Sequence, residues 1–251
     1  MKCVRVLKSV GPSKLHSRLP ASLWLAFAVV ALTAMLLGAG CGGAASSFEG
    51  GSSQNAASSL KREASNKSMD GKTDLKLATF GNGCFWCSEA IFQRLKGVEK
   101  VMPGYSGGHV DNPTYEQVCT STTGHAESIQ ITYDPAQITY DELLEVFWKT
   151  HDPTTKNRQG NDIGPQYRSV IFYHDAEQKR LAESYKAKLD AEKIWDRPIV
   201  TEIVPFTKFW PAEDYHRNYY NNNPSKGYCN LVITPKVEKF KKIFKDRLKT
   251  P

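Results

Sequence analysis

Between Leu75 and Gly97 a strand pattern runs through a glycine turn into a helix, and a thiol stands at the junction. Leu75-Lys76-Leu77-Ala78-Thr79-Phe80 alternates in the way of a half-buried strand, and Gly81-Asn82-Gly83 supplies the turn. Ile91 and Leu95, with Phe92 beside them, then mark the inner face of an amphipathic helix that Gly97 is placed to stop. This order constrains the fold: the strand must enter a sheet and the helix must pack back onto it. Cys84, at the helix start, lies beside unpaired backbone N–H groups and the positive end of the helix dipole, which favours thiolate over thiol. Phe85, Trp86 and Cys87 complete a C-x-x-C with two bulky aromatics inside it. The local expectation is a redox or nucleophilic cysteine.

The net charge of +7 is unevenly spread over the 251 residues. Residues 1–20 carry Lys2, Arg5, Lys8, Lys14 and Arg18 and no acid, and residues 21–40 are mostly apolar and uncharged. A basic stretch before an apolar one is the architecture of an export signal. Its end, Leu36-Leu37-Gly38-Ala39-Gly40-Cys41, resembles a bacterial lipoprotein signal, in which small residues precede a cysteine that becomes lipidated. Gly38 stands where such signals most often carry Leu. An uncleaved anchor is the alternative, since ~20 apolar residues can span a bilayer. Both readings hold the rest of the chain at a membrane outside the cytoplasm, in a periplasm or on a cell surface. Five of the seven net positive charges fall in residues 1–40, leaving +2 elsewhere and little argument for nucleic-acid binding. Residues 41–72, rich in Gly, Ala, Ser and Asn, read as a flexible tether, and 73–251 as one folded domain.

Capping patterns place three further helices. Thr139-Tyr140-Asp141-Glu142 is a capping box ahead of Leu143, Leu144, Phe147 and Trp148. Asp175 opens a helix through about Lys193, with Leu181, Tyr185 and Leu189 as its inner stripe. Thr234-Pro235 starts another, with Val237, Phe240, Phe244 and Leu248 inward and its lysines in water. Strands are expected at 76–80, 98–102, 126–133, 168–174 and 200–204. The result is a mixed α/β domain whose strand order the pattern does not set.

Within 126–133, period-two alternation puts Glu127 on one face with Ile129 and Ile131. A carboxyl there would be desolvated and its pKa raised, as suits a proton donor near neutral pH. The alternative is a strand-end acid paired with His125. The loop Gly160–Arg168, with Asp162 and Tyr167, has the composition of a site-lining turn, as does Gly104–Tyr115.

Beyond the signal lie four cysteines, Cys84, Cys87, Cys119 and Cys229. Two structural disulfides would account for them in an oxidising compartment. A zinc site is disfavoured, because the single C-x2-C has no second ligand pair at suitable spacing. A thioredoxin-like dithiol–disulfide oxidoreductase using Cys84 and Cys87 is the stronger rival, although its spacer is unlike Phe85-Trp86. A reactive thiol with a distant resolving thiol in the loop Gly227-Tyr228-Cys229-Asn230 is the other arrangement.

Nine segments now fall into register: Gly83-Cys84-Phe85-Trp86, Gly104-Tyr105-Ser106-Gly107-Gly108, Asn112-Pro113-Thr114-Tyr115, Thr123-Gly124-His125-Ala126-Glu127, His151-Asp152-Pro153, Gln159-Gly160-Asn161-Asp162, Gln166-Tyr167-Arg168-Ser169, Tyr215-His216 and Gly227-Tyr228-Cys229. Together they resemble the A-type peptide methionine sulfoxide reductases, from about Ala78 to Cys229. The resemblance implies an α+β fold, a two-layer α/β plait with a ferredoxin-like core, a mixed sheet and a long irregular C-terminal segment. It implies thiol-dependent reduction of methionine-(S)-sulfoxide, free or in proteins, without metal or organic cofactor. Cys84 would be the nucleophile, Glu127 the acid, and Tyr115 and Tyr167 donors to the sulfoxide oxygen. Asp162 would organise the polar pocket, and Phe85 and Trp86 would hold the substrate methyl. Cys229 would resolve the Cys84 sulfenic acid, with Cys87 a possible second thiol, standing where many members have Gly. Cys119 matches a cysteine of some members and is expected to be a buried bystander. With the export signal, the expected role is repair of oxidised exported proteins by a lipid-anchored monomer, recharged by an exported thioredoxin-like donor.

Overall fold

The computed structural model describes residues 74–250. The expected signal (1–40), the tether (41–72) and Cys41 lie outside the described residues. Among the described residues no helix is long and apolar enough to cross a membrane.

In chain order the elements are β1 (Lys76–Asn82), α1 (Phe85–Phe92), β2 (Val98–Ser106), α2 (Tyr115–Cys119), β3 (Ala126–Tyr133), α3 (Tyr140–Thr150), β4 (Arg158–Gln159), β5 (Asp162–Ile163), β6 (Ser169–Tyr173), α4 (Ala176–Ala191), β7 (Glu202–Pro205), β8 (Phe209–Pro211), α5 (Tyr219–Asn222) and α6 (Thr234–Ile243). Six strands form one sheet in the order β7-β6-β1-β3-β2-β8, while β4 and β5 pair separately. Every neighbouring pair is antiparallel except β6 with β7. The inner four strands with α1 and α3 make the β-α-β-β-α-β unit of a ferredoxin-like fold, with β3 returning between β1 and β2.

One face of the sheet carries the main core. Phe80 of β1 lies fully buried between Phe92 of α1 and Phe147 of α3, with ring centroids 5.9 and 5.1 Å away. A fully buried ring of this size contributes about 1.5–3 kcal/mol over an exposed one. On the reverse face Ala126, Val170 and Phe172 form a smaller cluster with Val204 and Phe206. The Thr139 box caps α3 as expected, its hydroxyl accepting from Glu142 N–H while the Glu142 carboxylate accepts from Thr139 N–H. Asp175 likewise caps α4.

Several expectations are corrected. The first helix is not amphipathic: all eight residues from Phe85 to Phe92 are buried. The sheet lies against one side, and α5, α6 and the π-turn Cys229–Ile233 pack against the others. It also ends before Leu95, whose backbone bridges to Leu248, so Gly97 (φ +77°) turns the chain into β2 instead of stopping the helix. Likewise α6 ends at Ile243, and Leu248 lies beyond it. Arg247 reaches the Glu145 carboxylate on α3 at 2.7 Å, closing the C-terminal segment over the helices. Cys119 is half-buried, not buried. The pairs β4/β5, the edge strand β8 and the short helices α2 and α5 were not anticipated.

Candidate active site

Cys84 caps α1 and is almost wholly buried, 6% exposed. The turn before it depends on Gly83, whose φ is +94° and whose missing Cβ leaves room for the Gln159 side chain, which it would meet at 2.6 Å. Gln159 is fixed in turn by its amide, which accepts from Asp152 N–H and donates to Asp152 C=O. Burial foremost, then the Cys87 sulfur and the carboxylates of Glu127 and Asp162, push the Cys84 thiol well above its ordinary pKa. The expectation of a resting thiolate is therefore corrected. The helix start offers its dipole, but desolvation outweighs it.

The structure brings Glu127 to the same point. Its place on β3 beside Ile129 and Ile131 is as the alternation required, and all three are buried. Oε2 accepts from the Phe85 N–H at 3.1 Å, so the carboxyl sits against the first amide of α1. Burial raises it to about 8, against the lowering by that N–H, with Asp162 and Cys87 adding repulsion. At neutral pH Glu127 holds its proton. It is not paired with His125, whose Nδ1 accepts from Gly108 N–H and whose Nε2 donates to Val110 C=O.

Two phenols and a carboxylate join them. Tyr167 ends the turn Pro165–Tyr167, which Gly164 opens at φ +145°. Burial, and after it the charges of Glu127 and Cys84, raise the Tyr167 hydroxyl far above its ordinary range, so it stays a donor. Tyr115 begins α2; its N–H donates to Glu213 Oε1 at 2.8 Å and its ring packs on His216 at 4.6 Å. Asp162 Oδ2 accepts from the Tyr228 hydroxyl at 2.7 Å. Phe85 is buried against Tyr105 and His216. Trp86 stacks flat on Tyr219, 3.7 Å between centroids, and donates Nε1–H to His216 Nδ1 at 3.0 Å. Burial lowers His216 to about 4, so the ring is neutral, with its proton on Nε2. Cys229 lies fully buried in the π-turn that packs on α1.

Four contributors were given no role from sequence. Glu213 holds the Tyr115 amide and the Tyr105 hydroxyl; His216 and Tyr219 fix Trp86; Tyr228 fixes Asp162. His216 and Tyr228 stand inside the quoted segments, which was the available signal. Glu213 and Tyr219 left none, because their contacts cross more than 90 residues. Among the described residues no group of three or more His, Cys, Asp or Glu side chains is arranged to hold a metal ion.

A buried thiol, a neutral carboxyl and phenol donors at one helix start suit reduction of a polar sulfur–oxygen bond. The comparisons agree. The family model for peptide methionine sulfoxide reductase matches residues 76–248. The peptide methionine sulfoxide reductase MsrA of Sulfolobus acidocaldarius is 59% identical over 173 residues, spanning 69% of this chain and 97% of that protein. That of Saccharolobus solfataricus is 56% identical over 175 residues, spanning 70% and 98%. The solved structure of methionine sulfoxide reductase A from Corynebacterium diphtheriae superposes with a TM-score of 0.56 at 37% identity, covering 62% of this chain and 78% of that one. This chain belongs to the peptide methionine sulfoxide reductase family, of the MsrA type, and is an oxidoreductase.

Proposed function

We propose that Cys84 takes the oxygen of methionine-(S)-sulfoxide, with Glu127 as the acid. The reading is carried by one observation: a buried, protonated carboxyl bonded to the amide next to the nucleophile. Sulfoxide sulfur is a poor electrophile until its oxygen is protonated or strongly hydrogen-bonded. Glu127 gives the proton, while Tyr115 and Tyr167 donate to the developing hydroxyl. Asp162, held by Tyr228, keeps the pocket polar. Phe85 and Trp86 receive the methyl group, Trp86 being fixed on both sides by Tyr219 and His216.

Sulfur attacks sulfur, and the S–O bond to methionine breaks as oxygen passes to Cys84. The thiol hydrogen and the sulfoxide oxygen end together as the Cys84 sulfenic acid, and Glu127 is returned protonated. A second thiol, Cys229 or Cys87, condenses with it to a disulfide and releases water. Fixing oxygen, methyl and attacking sulfur leaves one direction for the remaining substituent, so one epimer is accepted. The test is an assay with each epimer and dithiothreitol, using the chain and Cys84→Ser. Reduction of the S epimer that depends on Cys84 supports the reading; activity undiminished in Cys84→Ser overturns it.

The export segment supports a finer proposal, repair of oxidised exported proteins by a form anchored through Cys41. An exported dithiol of thioredoxin type would then reduce the disulfide. A membrane-fraction blot comparing the natural chain with Cys41→Ala tests the anchor. The second reading, a dithiol oxidoreductase, rests on the placing of both thiols in the first turn of α1, where the Cys87 N–H donates to the Cys84 carbonyl at 3.0 Å. It requires insulin reduction that depends on Cys87 and not on Glu127.

A further inference from the structure

We propose that Glu213 is a positioning residue: through His216 it fixes Trp86 as the wall for the substrate's S-methyl group and so sets selectivity for it. This rests on the methyl-binding role proposed above for Trp86. Glu213 lies just past β8, which pairs with β2, and the neighbouring Ala212 N–H donates to Pro103 C=O at 2.9 Å. The turn Asp214–His216 follows, closed by His216 N–H on Glu213 C=O at 2.9 Å. In a 3₁₀ turn, side chains at i and i+3 eclipse, which brings the Glu213 carboxylate and the His216 ring together.

The donors decide how these contacts run. An indole N–H donates and cannot accept, so His216 Nδ1, 3.0 Å from Trp86 Nε1, carries no proton. In the neutral ring the proton is therefore on Nε2. That nitrogen is buried and makes no hydrogen bond among the described residues, and Glu213 Oε2 faces it at 3.7 Å. At this distance the contact is electrostatic and not a hydrogen bond. A negative oxygen there favours Nε2–H and disfavours the tautomer that would turn Nδ1–H against the indole.

Two other elements hold Glu213 for this task. Oε1 accepts from Tyr115 N–H of α2 at 2.8 Å, and Oε2 from the Tyr105 hydroxyl of β2 at 2.9 Å. Partial burial would raise the carboxyl, but the Tyr115 amide, its own N–H, the Tyr105 hydroxyl and His216 together hold it below its ordinary value. Three donors facing two oxygens need a group that only accepts. Glutamine has the same size and fails this count. With its oxygen on Tyr115 N–H, its NH2 meets His216 Nε2–H; turned over, its NH2 meets Tyr115 N–H. A backbone amide cannot change its proton, whereas the His216 ring can. The ring proton then moves to Nδ1, against Trp86. Tyr219 still stacks on the indole at 3.7 Å, so the wall loosens and is not lost.

The test compares the full-length natural chain with Glu213→Gln in kcat/KM for the (S)-sulfoxides of methionine and ethionine, which differ by one methylene on sulfur. Their ratio cancels the fraction of active enzyme, so a merely structural loss leaves it unchanged. An apolar pocket discriminates a methylene about 10–200-fold, and Glu213→Gln is expected to narrow the preference for methionine sulfoxide about tenfold. In a Trp86→Phe background the same substitution should narrow it no further, because the effect passes through Trp86. An unchanged ratio overturns the proposal, as does equal narrowing in the Trp86→Phe background. Should Glu213→Gln fail to fold, nitrogen NMR of the natural chain decides. His216 protonated at Nε2 is expected, and a proton on Nδ1 overturns the proposal. Failure of the earlier reading looks different. A natural chain that reduces neither sulfoxide, or both alike, sinks that reading. A natural chain that prefers methionine sulfoxide, with the same ratio in Glu213→Gln, sinks only the role of Glu213.

Discussion

Glu127 holds its proton because three placements coincide. A β3 alternation turns it inward beside Ile129, the start of α1 closes over it, and Asp162 adds a negative neighbour. The sign of the pH effect follows. In the proposed mechanism protonated Glu127 is the active form, so the chemical step should fall as pH rises through about 8. Glu127→Gln keeps the size and the acceptor but has no proton to give. We expect its single-turnover rate to drop about 10²–10⁴-fold and the descending limb to vanish. A Gln variant that retains the limb would assign the titration elsewhere. Trp86 makes a gentler case. Trp86→Phe keeps an apolar wall but loses the bond to His216, and KM should rise more than kcat falls.

At the scale of elements, the strand–turn–helix around Cys84 was largely legible in the sequence. Its strand, its turn and its helix start stand where alternation, glycine and capping logic put them. The all-round burial of α1 was not legible, because half of its cover comes from residues 219–243, far along the chain. Glu89 shows the same limit. It is buried and accepts from Asn218 N–H at 2.8 Å, a partner 129 residues along the chain. Local pattern gave roles to Cys84 and Glu127, whereas Tyr115, Tyr167 and Cys229 took theirs from the resemblance of their segments to a family. The turn yields a direct prediction. Gly83→Ala places a methyl against Gln159 at a positive φ, so it should cost about 1–3 kcal/mol in urea unfolding and lower turnover. An unchanged midpoint would show that the turn relaxes freely.

For the whole molecule, buried titratable groups set opposing pH dependences. Burial raises Glu127 to about 8 and Glu89 to about 7. Their contribution is fully present below the unfolded carboxyl value of about 4.3 and is lost as pH rises through the folded values. Burial lowers His151 and His216 to about 4. Their contribution is present above the unfolded value of about 6.5 and is lost as pH falls through 4. The two effects balance between, so stability should peak near pH 5–6 and decline through 7 and 8. Glu89→Gln should flatten that decline in thermal unfolding; an unaltered slope would contradict the assignment. The site therefore works on the falling side of its own stability curve, as a buried acid kept ready near neutrality requires.

The central claim is that oxygen passes from substrate to Cys84. Its most direct measurement uses oxygen-18-labelled methionine-(S)-sulfoxide and the full chain carrying Cys87→Ser and Cys229→Ser, so that the sulfenic acid persists. Peptide mass spectrometry after one turnover should find a single labelled oxygen on Cys84 and an equivalent of methionine released. Methionine released with unlabelled or unmodified Cys84 would contradict the account.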